Sequence, residues 1–170
     1  MSRRSCSSLS IPVPASHTVE MVEVKVGEAA PDFTLPDHEG RPFTLSAQRG
    51  RVVVLYFYPK DFTSGCTKEA CHFRDAYEDF TDAGAVVVGV SNDSQESHRK
   101  FREAYLLPFS LLSDEGGEVQ KLYGVGGGIL PGRVTFVLDK GGVIRHVFSS
   151  RIDMKAHVDE ALKILKSLVP

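Results

Sequence analysis

From about Val24 onward the chain alternates between two hydrophobic rhythms. Arg51-Val-Val-Val-Leu-Tyr-Phe-Tyr58 and Ala85-Val-Val-Val-Gly-Val-Ser91 are short runs of β-branched or aromatic residues bounded by turn formers, the pattern of strands buried on both faces. Between them, Ala70, Phe73, Tyr77 and Phe80 recur at helical spacing with polar residues opposite, and Gly84 is placed to end that helix. This is a βαβ unit. A second amphipathic stretch runs from Gln95 to Tyr105 and stops near Pro108, and Val134–Leu138 and Val143–Phe148 read as strands joined by the turn Asp139-Lys-Gly-Gly142. Lys155–Leu168 closes the chain as a helix with Val158, Leu162, Leu165 and Leu168 as its buried stripe. The order βαβ, helix, β-hairpin, helix predicts an α/β chain with a thioredoxin-like fold, a central mixed β-sheet flanked by helices.

Composition narrows this picture. A chain of 170 residues, 42% hydrophobic and 25% charged, suits one domain with a real core. Residues 1–22 stand apart: Ser-rich, with Arg3 and Arg4, no acid before Glu20, and Pro12 and Pro14 breaking any period. They read as a flexible extension to a domain over 23–170, with an organelle transit segment as the alternative. The net charge of −2 and isoelectric point near 6.3 give no basic footprint for nucleic acid. No apolar run approaches the ~20 residues that span a bilayer, and no secretory apolar core is present. Three cysteines are too few for a disulfide scaffold, and two of them five residues apart suggest chemistry in a reducing compartment. The expected location is cytoplasmic, or plastid if the extension is a targeting remnant. Cys6, in the extension, has nothing nearby to activate it but two arginines and reads as incidental.

The informative stretch is Pro59-Lys-Asp-Phe-Thr-Ser-Gly-Cys-Thr-Lys-Glu-Ala-Cys71, which begins where the first strong strand ends. Reacting groups collect beyond the carboxyl ends of strands in an open α/β sheet. Cys66 falls in the first turn of the following helix, where unpaired N–H groups and the positive end of the helix dipole lower a thiol pKa. From a free value of ~8.5 about 3% of a thiol is ionised at pH 7, so complete ionisation gains only about thirty-fold. Donors aimed at atoms that gain charge in the transition state are the natural source of further acceleration.

Here the residues carry a family likeness. Pro59-x-x-x-Thr63-x-x-Cys66 resembles the peroxiredoxin active-site pattern of the AhpC/TSA superfamily, and Gly-Cys66-Thr-Lys-Glu-Ala-Cys71 resembles the bacterioferritin-comigratory and peroxiredoxin Q branch. The likeness extends from about Val26 to Leu168, through Ala-Pro-Asp-Phe-Thr-Leu35, Leu-Leu-Ser-Asp-Glu115 and Leu-Pro-Gly-Arg-Val-Thr-Phe-Val-Leu-Asp139. It implies a peroxidatic Cys66, a resolving Cys71, a Thr63 hydroxyl bonded to thiolate and peroxide, a Pro59 that shields the sulfur, and an Arg133 that holds it with positive charge. It also implies peroxide substrates, thioredoxin or a similar dithiol as reductant, no cofactor, and a monomer or weak dimer. Taken singly, Thr63 is a helix cap, Pro59 a strand terminator and Arg133 a surface ion-pair residue; their joint spacing points to function. The sequence departs from the branch at Ser64, where proline is common.

If residues 66–71 are helical, ~1.5 Å rise and ~100° per residue set the two Cα atoms about 8–9 Å apart on different faces. A disulfide tolerates at most ~7 Å, so the pairing implied by the resemblance requires the first turns of the helix to unwind. His72 points about 100° away from Cys71 and reads as a solvated residue. His17, His38, His98, His146 and His157 show no metal-ligand spacing, and Cys-x4-Cys is not a common zinc pattern, so no metal is expected. Gly124–Gly132 fails the dinucleotide and P-loop patterns and reads as a loop before Arg133, one wall of the crevice. A disulfide reductase would use Cys-x-x-Cys. A redox sensor using the same disulfide remains the alternative function.

Overall fold

The computed structural model describes residues 24–126 and 132–169. The proposed extension with Cys6, and residues 127–131 of the Gly-rich segment, lie outside the described residues. Two short strands, β1 (Thr34–Pro36) and β2 (Pro42–Thr44), pair antiparallel near the start. The rest builds on β3 (Val52–Phe57), α1 (Ser64–Asp75), α2 (Tyr77–Asp82), β4 (Ala85–Ser91), α3 (Gln95–Tyr105), β5 (Ser110–Ser113), α4 (Glu118–Leu122), β6 (Val134–Leu138), β7 (Ile144–Ser149) and α5 (Met154–Leu168).

The main sheet has the order β5-β4-β3-β6-β7. β3 and β5 flank β4 in parallel, while β6 runs antiparallel to both β3 and β7. The expected mixed sheet is therefore present, with β3 at its centre. Every residue of β3 is buried, because the sheet is covered on both faces. Val52, Val54, Tyr56 and Tyr58 look one way, into a core shared with Phe73 and Phe80 of the α1–α2 layer and with Val158, Ala161 and Leu165 of α5. Val53, Leu55 and Phe57 look the other way, onto Phe33, Leu45, Val119 and Tyr123. Tyr56 stacks on Phe73 with ring centres 4.5 Å apart, tying α1 to the sheet.

The helix expected between the first two strong strands is two helices, broken at Ala76 (φ −95, ψ 1). The break lets the Tyr77 ring turn onto Phe109 while Phe73 and Phe80 remain fully buried. Gly84 closes α2 at φ +76, a conformation only glycine adopts without cost. Among the described residues no helix is long and apolar enough to cross a membrane.

Candidate active site

The antiparallel register of β3 and β6 assembles the site. Phe57, at the carboxyl end of β3, pairs with Val134 at the start of β6. The residue before Val134 therefore arrives at the mouth where the Pro59–Thr63 loop leaves β3, and that residue is Arg133. Across the mouth, α1 begins after Thr63, whose extended backbone (φ −74, ψ 152) makes it the N-cap and whose carbonyl accepts from Thr67 N at 2.9 Å. Cys66 sits in the first turn, which contains no acidic side chain. The positive end of the helix dipole is thus uncompensated beside the sulfur.

Cys66 is 1% exposed, and Arg133 Nη2 donates to its Sγ at 3.1 Å. The same guanidinium donates through Nη1 to Glu69 Oε1 at 2.9 Å. Burial opposes the charge of Arg133, but Glu69 and Cys66 outweigh it and hold the guanidinium above its ordinary pKa. Burial pushes Glu69 the other way for a carboxyl, up to about 8, against the lowering effect of Arg133. Gly65 makes this approach possible. A Cβ there would stand 3.1 Å from Arg133 Nη2 and 2.9 Å from Met154 Cε at the start of α5.

The other expected residues stand as follows. Cys71 is a half-buried free thiol on the same helix as Cys66; His72 beside it is half-buried rather than solvated. Pro59 is exposed, and its ring lies 3.8 Å from the position a Cβ on Gly132 would take, so these two residues form part of the rim. The Thr63 hydroxyl does not donate to Cys66: it donates to Lys60 O at 2.9 Å, and no Thr63–Cys66 hydrogen bond occurs among the described residues. A hydroxyl has one proton, and the nearby loop carbonyl takes it.

Sequence reasoning missed the polar groups behind the loop. Asp61, 3% exposed, accepts from Tyr58 Oη at 2.6 Å and Ser97 Oγ at 2.9 Å, and lies 2.7 Å from His98 Nδ1. Its own N–H donates to Asp93 Oδ2 at 2.8 Å. This network pins the loop to α3 and the end of β4. It also secures Phe62, which adopts φ 63 despite its side chain and packs on Phe101 at 5.1 Å. Asp61, Asp93 and His98 bring ligand-type atoms within 4.8 Å of one another, a cluster invisible in their sequence spacing. Their polar atoms already serve one another and the backbone. Glu69 and His157 were missed too, since no local pattern joins α1 to α5.

A buried cysteine at a helix start, beyond a strand of a thioredoxin-type sheet and hydrogen-bonded by a guanidinium, defines a thiol-dependent oxidoreductase. Residues 26–147 match the AhpC/TSA family, and the chain belongs to it, on its peroxiredoxin Q branch. It is a thiol peroxidase, with peroxides as substrates and a thiol as reductant. Peroxiredoxin Q, chloroplastic, of Sedum lineare is 55% identical over 149 residues, 86% of this chain and 80% of its own. The Arabidopsis thaliana protein of that name is 51% identical over 166 residues, covering 95% and 77%. Among solved structures, peroxidoxin BcpB of Mycobacterium tuberculosis superposes with a TM-score of 0.80 at 41% identity, covering 87% of this chain and 100% of the other. Xanthomonas campestris peroxiredoxin Q gives 0.74 at 33%, covering 85% and 96%.

Proposed function

We propose that Cys66 is the peroxidatic nucleophile and Cys71 the resolving thiol. The observation that carries the assignment is the 3.1 Å contact of Arg133 Nη2 with a buried sulfur in the first turn of α1. The Cys66 thiolate attacks one peroxide oxygen, the O–O bond breaks, and the other oxygen leaves as water or alcohol after taking a proton. Arg133 is placed to meet the charge that develops, and removal of one such donor costs about 10²–10³ in rate. Thr63 takes part once its hydroxyl turns from Lys60 O toward the bound peroxide. Pro59, with Gly132, keeps bulk water from the sulfur.

The Cys66 sulfenic acid then condenses with the Cys71 thiol, forming the disulfide and releasing water. Both cysteines lie within α1, so this step requires its first turns to unwind. Thioredoxin or a similar dithiol reduces the disulfide by exchange. The chloroplastic names of the relatives favour the plastid over the cytoplasm as the place of action.

Stopped-flow peroxide consumption with wild type, Cys66→Ser and Cys71→Ser tests the scheme. Cys66→Ser should abolish consumption, and Cys71→Ser should complete one turnover and then stall with thioredoxin as sole reductant. Sustained thioredoxin-driven cycling of Cys71→Ser would remove its resolving role. Many peroxide equivalents consumed per protein under excess reductant separates the enzyme from a sensor, which consumes about one per oxidation event.

A further inference from the structure

Met154, the first residue of α5, takes no part in the chemistry above, yet its thioether stands in the wall of the site. Its Cε lies 2.9 Å from the position a Cβ on Gly65 would take, and Arg133 Nη2 lies 3.1 Å from that same point. Arg133 Nη2 is also the donor to Cys66 Sγ. The end of the Met154 side chain and the donor that serves the reacting sulfur therefore meet over one glycine, the residue before Cys66. The approach from outside is open. Met154 is half-buried, and Arg151, Ile152 and Asp153, which lead into α5, are exposed, as is Ser64 beside Gly65.

A thioether reduces peroxides by two electrons, as a thiolate does, but it lacks the negative charge that makes the thiolate fast. Reduced Cys66 therefore takes the peroxide first. Met154 has its turn once Cys66 is held in the disulfide. That step unwinds the start of α1, but Met154 belongs to α5 and Arg133 to the segment ahead of β6. His157 Nδ1 and Thr135 Oγ1, 2.8 Å apart, hold α5 to β6 without any help from α1. Met154 and Arg133 thus stay together while the first turns of α1 are open, and a second peroxide that reaches the guanidinium meets a thioether and no thiolate.

We propose that Met154 is a peroxide modification site that switches the enzyme off: peroxide held at Arg133 oxidises the thioether to the sulfoxide. The idea rests on Cys66 as the nucleophile and Arg133 as its donor. The sulfur lone pair attacks one peroxide oxygen, and the S–O bond forms as the O–O bond breaks. The proton of the attacked oxygen passes to the departing one, which leaves as water or alcohol. Sulfur loses two electrons and the peroxide gains them, so no further reactant is needed. The product then changes the site. A thioether is a weak acceptor, whereas a sulfoxide oxygen is a strong one, so Nη2 turns from Cys66 Sγ to the new oxygen. Room for that oxygen is also lacking, since a single Cβ on Gly65 would already meet Cε at 2.9 Å. Methionine sulfoxide reductases reverse the change, so the switch resets.

The test starts from the full chain in its disulfide form, treated with excess hydrogen peroxide beside N-acetylmethionine amide as an internal reference. Peptide mass reads one added oxygen on Met154, and the rate constant for peroxide is measured afterwards on the protein reduced with dithiothreitol. Met154 should gain oxygen about 10²-fold faster than the reference, the scale of one well-placed donor, and Arg133→Gln should bring it down to the reference rate. The peroxide rate constant of the sulfoxide form should fall about 10²-fold and return after treatment with methionine sulfoxide reductases for both epimers. Met154→Leu, close in volume, should keep its activity through the same treatment. Oxidation of Met154 no faster than the reference, or equal inactivation of wild type and Met154→Leu, overturns the proposal while leaving Cys66 as nucleophile intact. Sulfinic acid at Cys66 would produce that equal loss, and methionine sulfoxide reductases would not reverse it. Undiminished peroxide consumption by Cys66→Ser would instead overturn the functional reading, with the mass measurement on Met154 unaffected.

Discussion

Two buried carboxyl–histidine pairs flank Cys66, and they are built differently. Upstream, both oxygens of Asp61 are engaged, by Tyr58, Ser97 and His98, and His98 Nε2 is itself occupied at 3.0 Å by the Leu112 carbonyl. Downstream, Glu69 has one oxygen on Arg133 and the other without a partner, opposite His157. The saturated pair holds the loop that leaves β3. The unsaturated pair joins α5 to α1, the helix that has to unwind in the proposed disulfide step. A fully satisfied buried network is rigid, whereas one lacking a donor gains when it opens to water. The two pairs thus divide the segment into a fixed entrance and a yielding exit.

The largest expected effect comes from breaking the fixed half. Asp61→Ala strands Tyr58, His98 and Ser97 without their acceptor in a site closed to water. It should cost about 2–4 kcal/mol, the scale for leaving two or three buried polar groups unsatisfied at about 1–3 kcal/mol each. Urea denaturation measures this, and a loss below about 1 kcal/mol would mean the network does not anchor the loop.

The yielding half should show itself as pH dependence. The folded pKa of Glu69, about 8, lies above the 4.5 of an ordinary carboxyl, so the folded state binds the extra proton. Its contribution to stability is complete below about pH 4.5 and is lost as pH rises toward about 8, beyond which the loss stops growing. The slope is at most about 1.4 kcal/mol per pH unit. Stability curves of wild type and Glu69→Gln, subtracted, should differ across that window by this slope. A flat difference would place Glu69 with the saturated class.

How far this was readable in the sequence depends on length and locality. β3, β4, β6, β7, α3 and α5 follow from hydrophobic period because each is long enough to display one. β1 and β2 at three residues, β5 at four and α4 at five are too short to do so. Ser110–Ser113 has only two apolar residues, and its place beside β4 is fixed by tertiary pairing. Cys66 was legible because a strand end, a loop and a helix start are neighbours in the chain. The meaning of Arg133 depended on a register joining Phe57 to Val134. Glu69 looked like one more polar position on a helix, and His157 like an isolated histidine in an amphipathic one; only the packing of α1 on α5 makes them a pair. Thr63 shows how little a motif says of orientation: its hydroxyl rests on a local carbonyl, a partner that the spacing to Cys66 does not reveal.

A finer comparison uses one hydroxyl from each pair. Tyr58→Phe removes a donor from Asp61 and should cost about 1–1.5 kcal/mol. Thr135→Val preserves shape and withdraws the hydroxyl from His157 Nδ1, a neutral partner where Tyr58 serves a carboxyl, with Glu69 Oε2 beyond hydrogen-bond reach at 3.6 Å. It should cost less than Tyr58→Phe. Thermal unfolding of both variants at one pH ranks them, and the opposite order would contradict the contrast between the pairs.

The smallest effect bears on the unwinding itself. Ser64 is the first residue of α1, exposed, and preceded by a residue at φ −74, ψ 152, a backbone that tolerates a following proline. Proline suits this position because the N–H it lacks has no helical partner there and its φ is already helical. Ser64→Pro therefore leaves the folded helix unaltered and restricts the unwound chain, favouring the helix by about 0.4–1 kcal/mol. The first peroxide turnover should be unaffected, while formation of the Cys66–Cys71 disulfide should slow about two- to five-fold, the same free energy expressed as a rate. The chain contains no tryptophan, so the step is best followed by rapid thiol trapping and mass measurement. Equal disulfide rates in the two proteins would mean that α1 opens from within rather than from its first turn, and that the yielding segment begins nearer Glu69 than Thr63.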